Sequence, residues 1–266
     1  MTGNRGKGMV LQDRDRHLLR ELGTVLRIVD RDQAKTVAGF GSDSRTNRRL
    51  RALTDAGLLK RFFLGTRGAG QKAIYSLSQK GALLVGVPHR GLQRRKEEPL
   101  VADFFVEHQF TLNELYCALR YQPLLPAGTS LAEWQAFYRP LTPGSRLIPD
   151  GYFVLRGPSR TVAAFVEVDL GHERRAVWRD KVRAYSDFAV SGDYERRFGT
   201  KQFRVLVITT TERRLESLRV TTAVITNKIF RFTTLPAFRA HGPSATIWRR
   251  TGDDGIEEHL IEEMLL

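Results

Sequence analysis

Apolar residues recur at helical spacing at Leu11, Leu18, Leu19 and Leu22, and Gly23 closes that stretch. A short apolar connector, 25–29, leads to a second expected helix through 36–40, capped by Asp30 or Asp32 and stopped by Gly41. The third helix is expected to start at Ser42 or Ser44, in SRTNRRLRALTDAGLL. Leu50 and Leu53 turn to its core side, the polar residues Arg45, Thr46, Asn47, Arg48, Arg49 and Arg51 cover the rest, and Gly57 ends it. Residues 58–64 and 72–77 read as strands around the Gly-rich loop 65–70, and Ser78 begins a short helix.

The pattern changes after 86–100, GVPHRGLQRRKEEPL, a Pro-, Gly- and charge-rich run that reads as a linker. An amphipathic helix is expected over 103–121 and a short strand over 134–138. Two Val-, Phe- and Tyr-rich strands follow, 147–155 and 161–170, with turn residues between them. In the second, Ala163, Phe165, Glu167 and Asp169 share one face. A hairpin centred between Pro158 and Ser159 sets Asp150 opposite Glu167; a slip of one residue would break that pairing. Beyond it come a helix to Val190, in which Lys181 and Tyr185 share a face, a strand 203–209, a helix 212–223, a strand 229–234 and a strand at Trp248. Strands alternating with helices predict a mixed sheet with helices on its faces, so the fold class is α+β or α/β.

The expected domains are 10–86, a linker 87–100, a body 101–250 and an acidic, amphipathic tail 251–266 that docks onto the body or onto another subunit. Charge sharpens this division. The chain of 266 residues carries a net charge of +14, yet residues 1–96 hold 21 Lys and Arg against 7 Asp and Glu, while 97–266 hold 22 of each. The whole excess sits in the first third, which is the electrostatic footprint of a polyanion-binding segment, nucleic acid being the usual polyanion. A single cysteine, Cys117, excludes a disulfide framework and a cysteine-based zinc site. No apolar run has the length of a membrane span and MTGNRGKGMV lacks a signal-peptide core, so the expected setting is the cytoplasm, with no membrane partner.

Candidate chemistry converges on the hairpin. Asp150, Glu167 and Asp169 would meet at the end of an apolar strand, where like charges repel and unpaired burial costs several kcal/mol. A hard divalent cation, Mg²⁺ or Mn²⁺, would relieve that cost. The alternative is that these acids sit at a solvated strand end and face water or arginine.

The first third, RRLRALTDAGLLKRFFL followed by a Gly-rich tip and KAIYSLSQKG, resembles a winged helix-turn-helix. That resemblance implies that the third helix enters the major groove of double-stranded DNA, with Arg45, Thr46, Asn47, Arg48 and Arg49 as recognition candidates. Lys60, Arg61, Arg67 and Lys72 would meet phosphate. The body, with Pro149-Asp150 and Glu167-Val168-Asp169, is similar to the core of the PD-(D/E)XK nuclease superfamily. The likeness implies metal ligation by Asp150, Glu167, the Val168 carbonyl and Asp169. Asp169 stands where such enzymes carry a lysine, and Lys181 on the following helix is the substitute. The whole pattern, PDGYFVL, FVEVDLGHE, KVRAY and RVLVIT behind a winged helix, resembles the replication-relaxation family of bacterial plasmids and mobile elements. It implies plasmid replication or DNA relaxation and a metal-dependent endonuclease or nickase, with a homodimer as one assembly.

Other enzyme classes lack their residues. The six histidines are never closer than 18 positions, which excludes a His-x-His relaxase and an H-E-x-x-H peptidase, and there is no P-loop or G-x-S-x-G elbow. The competing reading is a sequence-specific DNA-binding regulator or replication initiator whose nuclease-like domain is inactive.

Overall fold

A computed structural model describes residues 9–66, 70–90, 104–122, 125–142, 144–252 and 257–259. The chain divides into two compact units, 1–113 and 114–266, and the division falls within one helix.

In the first unit, α1 (Asp13–Glu21) runs into a π-helical turn (Leu22–Leu26), then β1 (Ile28–Val29), α2 (Arg31–Ala38) and α3 (Asp43–Asp55). The chain continues through β2 (Leu59–Thr66), β3 (Gly70–Leu77) and α4 (Gln79–Val85). The helix starts follow local chemistry. Asp30, Ser42 and Ser78 each accept a backbone N–H from the third residue on, satisfying donors that a helix start leaves free. The second helix opens at Arg31 on Asp30, one of the two expected caps, and ends at Ala38, before the expected stop at Gly41, because Gly39 takes the left-handed cap with a φ of +63°. Strand β3 is central, antiparallel to both β1 and β2. Leu18 and Leu19 of α1, Leu50 and Leu53 of α3, and Ile74 and Leu77 of β3 are fully buried in the core of this unit. Gly81 lets α4 lie against the start of β2, because a Cβ there would come 2.3 Å from the Leu58 carbonyl oxygen. The first turns of α5 (Phe104–Tyr121) complete this unit: Val106 and Phe110 pack with Ile28 and Ile74. Asn113 donates to the Ile28 carbonyl at 2.6 Å.

The second unit is built on a seven-stranded sheet in the order β10-β9-β8-β7-β6-β5-β4. Its strands are β4 (Ser130–Gln135), β5 (Gly151–Arg156), β6 (Thr161–Asp169), β7 (Arg204–Thr209), β8 (Phe230–Thr234), β9 (Thr246–Arg250) and β10 (Glu257–His259). The central pairs β6–β7 and β7–β8 are parallel and the outer pairs antiparallel, which makes the sheet mixed. The parallel steps are spanned by α6 (Arg175–Val190) with α7 (Asp193–Phe198), and by α8 (Glu212–Ala223); α9 (Leu235–His241) follows β8. The expected mixed sheet with helices is present; the short helices α7 and α9 had not been anticipated. Strand β6 reads apolar on both faces because both are covered, as strands with parallel neighbours usually are. On one face Ala163, Phe165, Val207 and Phe232 pack with Trp178, Val182, Tyr185 and Phe188 of α6 and with Leu215 and Leu218 of α8. Among the described residues no helix is long and apolar enough to cross a membrane. Parts of the expected linker and most of the expected tail lie outside the described residues.

Candidate functional site

The β5–β6 hairpin pairs Gly151 with Val166 through to Arg156 with Thr161, so its centre falls between Pro158 and Ser159. One more step of that register sets Asp150 opposite Glu167. Asp150 is fixed there by accepting the Val168 backbone N–H on Oδ2 at 2.8 Å.

Glu167 points from β6 toward α6 and is 1 % exposed. Two side chains of α6, four residues apart and hence on one face, meet it. Lys181 donates from Nζ to Glu167 Oε2 at 2.8 Å, and the Tyr185 hydroxyl donates to Oε1 at 2.6 Å. Lys181 Nζ also lies 2.9 Å from Glu173 Oε1 in the loop between β6 and α6. Burial raises the Glu167 pKa to about 7; Lys181 pulls it down, Asp150 pushes it up, and the upward pressure wins. Burial opposes the charge on Lys181, but Glu167, Asp150 and Glu173 together hold its pKa above the ordinary lysine value. Tyr185 is pushed well above the ordinary phenol by burial and then by Glu167, so it remains a donor.

Asp169 does not join this group. It shares the face of Glu167, but Arg214 in the first turn of α8 grips it through a fork, Nε to Oδ1 at 3.2 Å and Nη2 to Oδ2 at 2.6 Å. It also accepts the Gly171 N–H at 2.6 Å, in a turn where Gly171 takes a φ of +90°. Held on both oxygens by a guanidinium, Asp169 is paired apart from Asp150 and Glu167, so the three acids do not converge as expected. Among the described residues no group of three or more His, Cys, Asp and Glu side chains is arranged to hold a metal ion. Asp169 is an arginine-facing acid, as the alternative reading has it. Glu114 on α5 forms a fork with Arg239, at 2.8 Å on each arm.

Sequence reasoning missed Arg214 and Glu173. The signal for Arg214 is topological: Asp169 pairs with Thr209 across parallel strands, so the helix after β7 begins at the acid's end of the sheet. Arg214 also donates to the Glu173 carbonyl at 2.7 Å, tying the loop that brings Glu173 to Lys181.

In the first unit the nucleic-acid candidates separate into two sets. Arg45, Asn47 and Arg48 on α3 are exposed, as are Lys60 and Arg61 on β2, where Arg61 lies 5.1 Å over the Phe63 ring. Thr46 is fully buried and its hydroxyl donates to the Ser42 carbonyl at 2.9 Å, so it cannot reach a base. Arg49 turns inward: Nε donates to Asp15 Oδ1 at 2.8 Å and Nη2 to the Val10 carbonyl at 2.7 Å. Asp15 is fully buried, and neutralising it is what Arg49 does, in place of the expected base contact. Lys72 is half-exposed, pairs with Asp30 at 2.5 Å and lies 5.0 Å from the Phe110 ring centre, so its charge is already engaged. Arg67 lies outside the described residues.

Comparison with curated proteins finds no match. Among solved structures the chain is similar to restriction endonuclease FokI, with 10 % sequence identity and a TM-score of 0.31 over 82 % of this chain, a likeness too slight to argue from. The chain spans 41 % of that chain's length. A family model described as replication-relaxation matches residues 19–203, well over half of the sequence and across parts of both units, and the chain therefore belongs to the replication-relaxation family.

Proposed function

We propose that the chain is a DNA-binding protein of plasmid or mobile-element replication whose second unit cleaves a phosphodiester bond with a divalent cation, as an endonuclease or nickase. The observation that carries this reading is the meeting of Lys181 with Glu167, beside Asp150, at the end of a hairpin. A lysine from the next helix thus stands beside the two acids of a PD-(D/E)XK-like core.

The residues fit a cation, in a smaller set than three acids. Asp150 and Glu167 are adjacent, and one ammonium does not hold Glu167 at an ordinary carboxylate pKa. A hard cation such as Mg²⁺ or Mn²⁺ would favour both in ionised form, and such ions commonly use one or two carboxylates with water and phosphate oxygens completing the shell. Asp150 and Glu167 would hold the ion, with the Val168 carbonyl beside them. When bound, it would polarise the scissile phosphate and acidify a water. In the net reaction the water oxygen bonds to phosphorus, one P–O ester bond breaks, and the departing oxygen takes a proton. Lys181 would stabilise charge on a phosphate oxygen through Nζ. Tyr185 holds Glu167 in place as a neutral donor. Asp169 acts at a distance, by anchoring Arg214 and with it the loop of Glu173.

For DNA capture we assign residues 10–86 as a winged helix-turn-helix, joined through 87–100 to a nuclease-like domain over 101–250. Arg45, Asn47 and Arg48 would meet the major groove, and Lys60 and Arg61 the phosphates. The helix order, the antiparallel hairpin after α3 and the exposed cations support this assignment.

A second reading is favoured by one feature. Lys181 is already engaged by both Glu167 and Glu173, so its ammonium is committed to carboxylates rather than left for a phosphate, as in an inactive nuclease-like domain of a regulator or initiator. Incubating supercoiled plasmid that carries the cognate site with Mg²⁺ or Mn²⁺ separates the two. Nicking by the parent, lost in Asp150→Ala and Glu167→Ala, is expected; tight site binding with no metal-dependent cleavage supports the regulator.

A further inference from the structure

Beside the candidate site lies a cavity of about 510 Å³, bounded by the loop 141–147 and by the flank of α6 that carries Lys181. Its volume falls in the range of small-molecule sites, about 300–1,000 Å³. The described residues of this wall are tied together. Leu141 N–H donates to the Leu147 carbonyl at 2.9 Å, the Ser145 hydroxyl accepts from Leu147 N–H at 3.0 Å, and Arg197 donates to the Leu141 carbonyl. Leu141 and Leu147 are buried in the core, so this wall is preformed. The same loop leads directly into Asp150.

The lining has the character of a nucleoside site. Leu147, Ala184 and Phe188 give an apolar wall of the kind on which a base face rests. Ser145 and Asp187 offer hydroxyl and carboxylate acceptors for a base amino group. Two further acids of the wall, Asp180 and Asp193, are paired with Arg183 and Arg196. Arg146, exposed on the lining, has no ionic partner among the described residues and is available to the phosphate that an extruded nucleotide brings with it into the cavity. Lys181 belongs both to this wall and to the Glu167 cluster, so the cavity opens where the scissile phosphate would sit.

We propose that this cavity is a nucleoside subsite, which takes the base and sugar of one nucleotide next to the scissile phosphate once that nucleotide has left its stack. It rests on the hydrolytic reading above and narrows its substrate class to DNA with an unpaired or extruded nucleotide. A stacked base pair has neither face free to meet the apolar wall. Unstacking costs a few kcal/mol, least where pairing is already absent.

The test is binding without divalent cation, by the full chain, of two duplex oligonucleotides that differ only in one unpaired central nucleotide. Contacts from the first unit are common to both and cancel in the ratio. The parent is expected to bind the unpaired duplex about tenfold tighter, the equivalent of about 1.4 kcal/mol. Ala184→Phe, which fills the cavity, should bring the ratio close to one with affinity for the paired duplex unchanged. Arg146→Ala should lower the ratio too, and at an exposed position it keeps the test decisive if Ala184→Phe fails to fold. Equal binding by the parent, or a ratio that Arg146→Ala and a folded Ala184→Phe leave intact, overturns the subsite. Absent nicking with a preserved ratio sinks only the hydrolytic reading, while a flat ratio with intact nicking sinks only the subsite.

Discussion

On α3, Arg45 and Arg48 stand exposed to solvent, whereas at the end of β6 the titratable groups are inside. Glu167 is closed in by Lys181 and Tyr185, and Asp169 by Arg214. The sequence-wide charge count describes these regions poorly. It credits the first third with the whole positive excess, though Arg49 is consumed by Asp15 and Lys72 is engaged by Asp30. It calls the remainder neutral, though that neutrality at β6 is a set of specific buried pairs. What matters for binding is the charge left exposed, and what matters for chemistry is the charge held in low dielectric.

The largest expected effects break the buried side of this contrast. Arg214→Ala leaves Asp169 buried without its cation and should cost about 3–5 kcal/mol of stability, measured by chemical denaturation of the full chain. Arg49→Ala should likewise act on folding, by about 3 kcal/mol through the orphaned Asp15. Its salt dependence of DNA binding should remain that of the parent. Arg48→Ala should do the converse: stability held, DNA affinity lowered, and the slope of log affinity against log salt reduced by about 1. If Arg49→Ala and Arg48→Ala behave alike, the division of α3 into an inner and an outer arginine is wrong.

A smaller effect probes Glu167 through pH. The unfolded chain releases that proton near the ordinary value of 4.5, and the folded chain retains it to about 7. Between these values the folded state binds more protons, so rising pH should lower stability by up to roughly 1 kcal/mol per pH unit from this group. Lys181 stays charged throughout and contributes no slope there. Denaturation of Glu167→Gln across the same window should be flatter than that of the parent; an identical slope removes the proton from Glu167.

Much of the architecture was legible because local signals are strong where caps and periodicity agree. Ser42 and Ser78 mark helix starts, and α8 falls on the expected residues 212–223. The hairpin register was legible too, since its turn residues and the alternation of β6 agree. What escaped depends on partners distant in sequence. Nothing near Asp169 signals Arg214, 45 residues away, and nothing on α3 distinguishes Arg48 from Arg49 until Asp15 is known to be buried beside one of them. Thr46 failed for a local reason, since its hydroxyl turns back onto its own helix.

The direct test of the account sets the two β6 acids against each other in one assay, the rate of plasmid nicking in Mn²⁺. Lys181→Met should slow nicking by about a hundredfold or more, because a charge aimed at the phosphate is lost. The paired replacement Asp169→Asn with Arg214→Met, which removes both members of the structural pair, should keep the rate within about tenfold of the parent, as neither touches the phosphate. The opposite order, with Lys181→Met active and the Asp169–Arg214 replacement inactive while folded, would contradict the assignment of chemistry to Glu167 and Lys181.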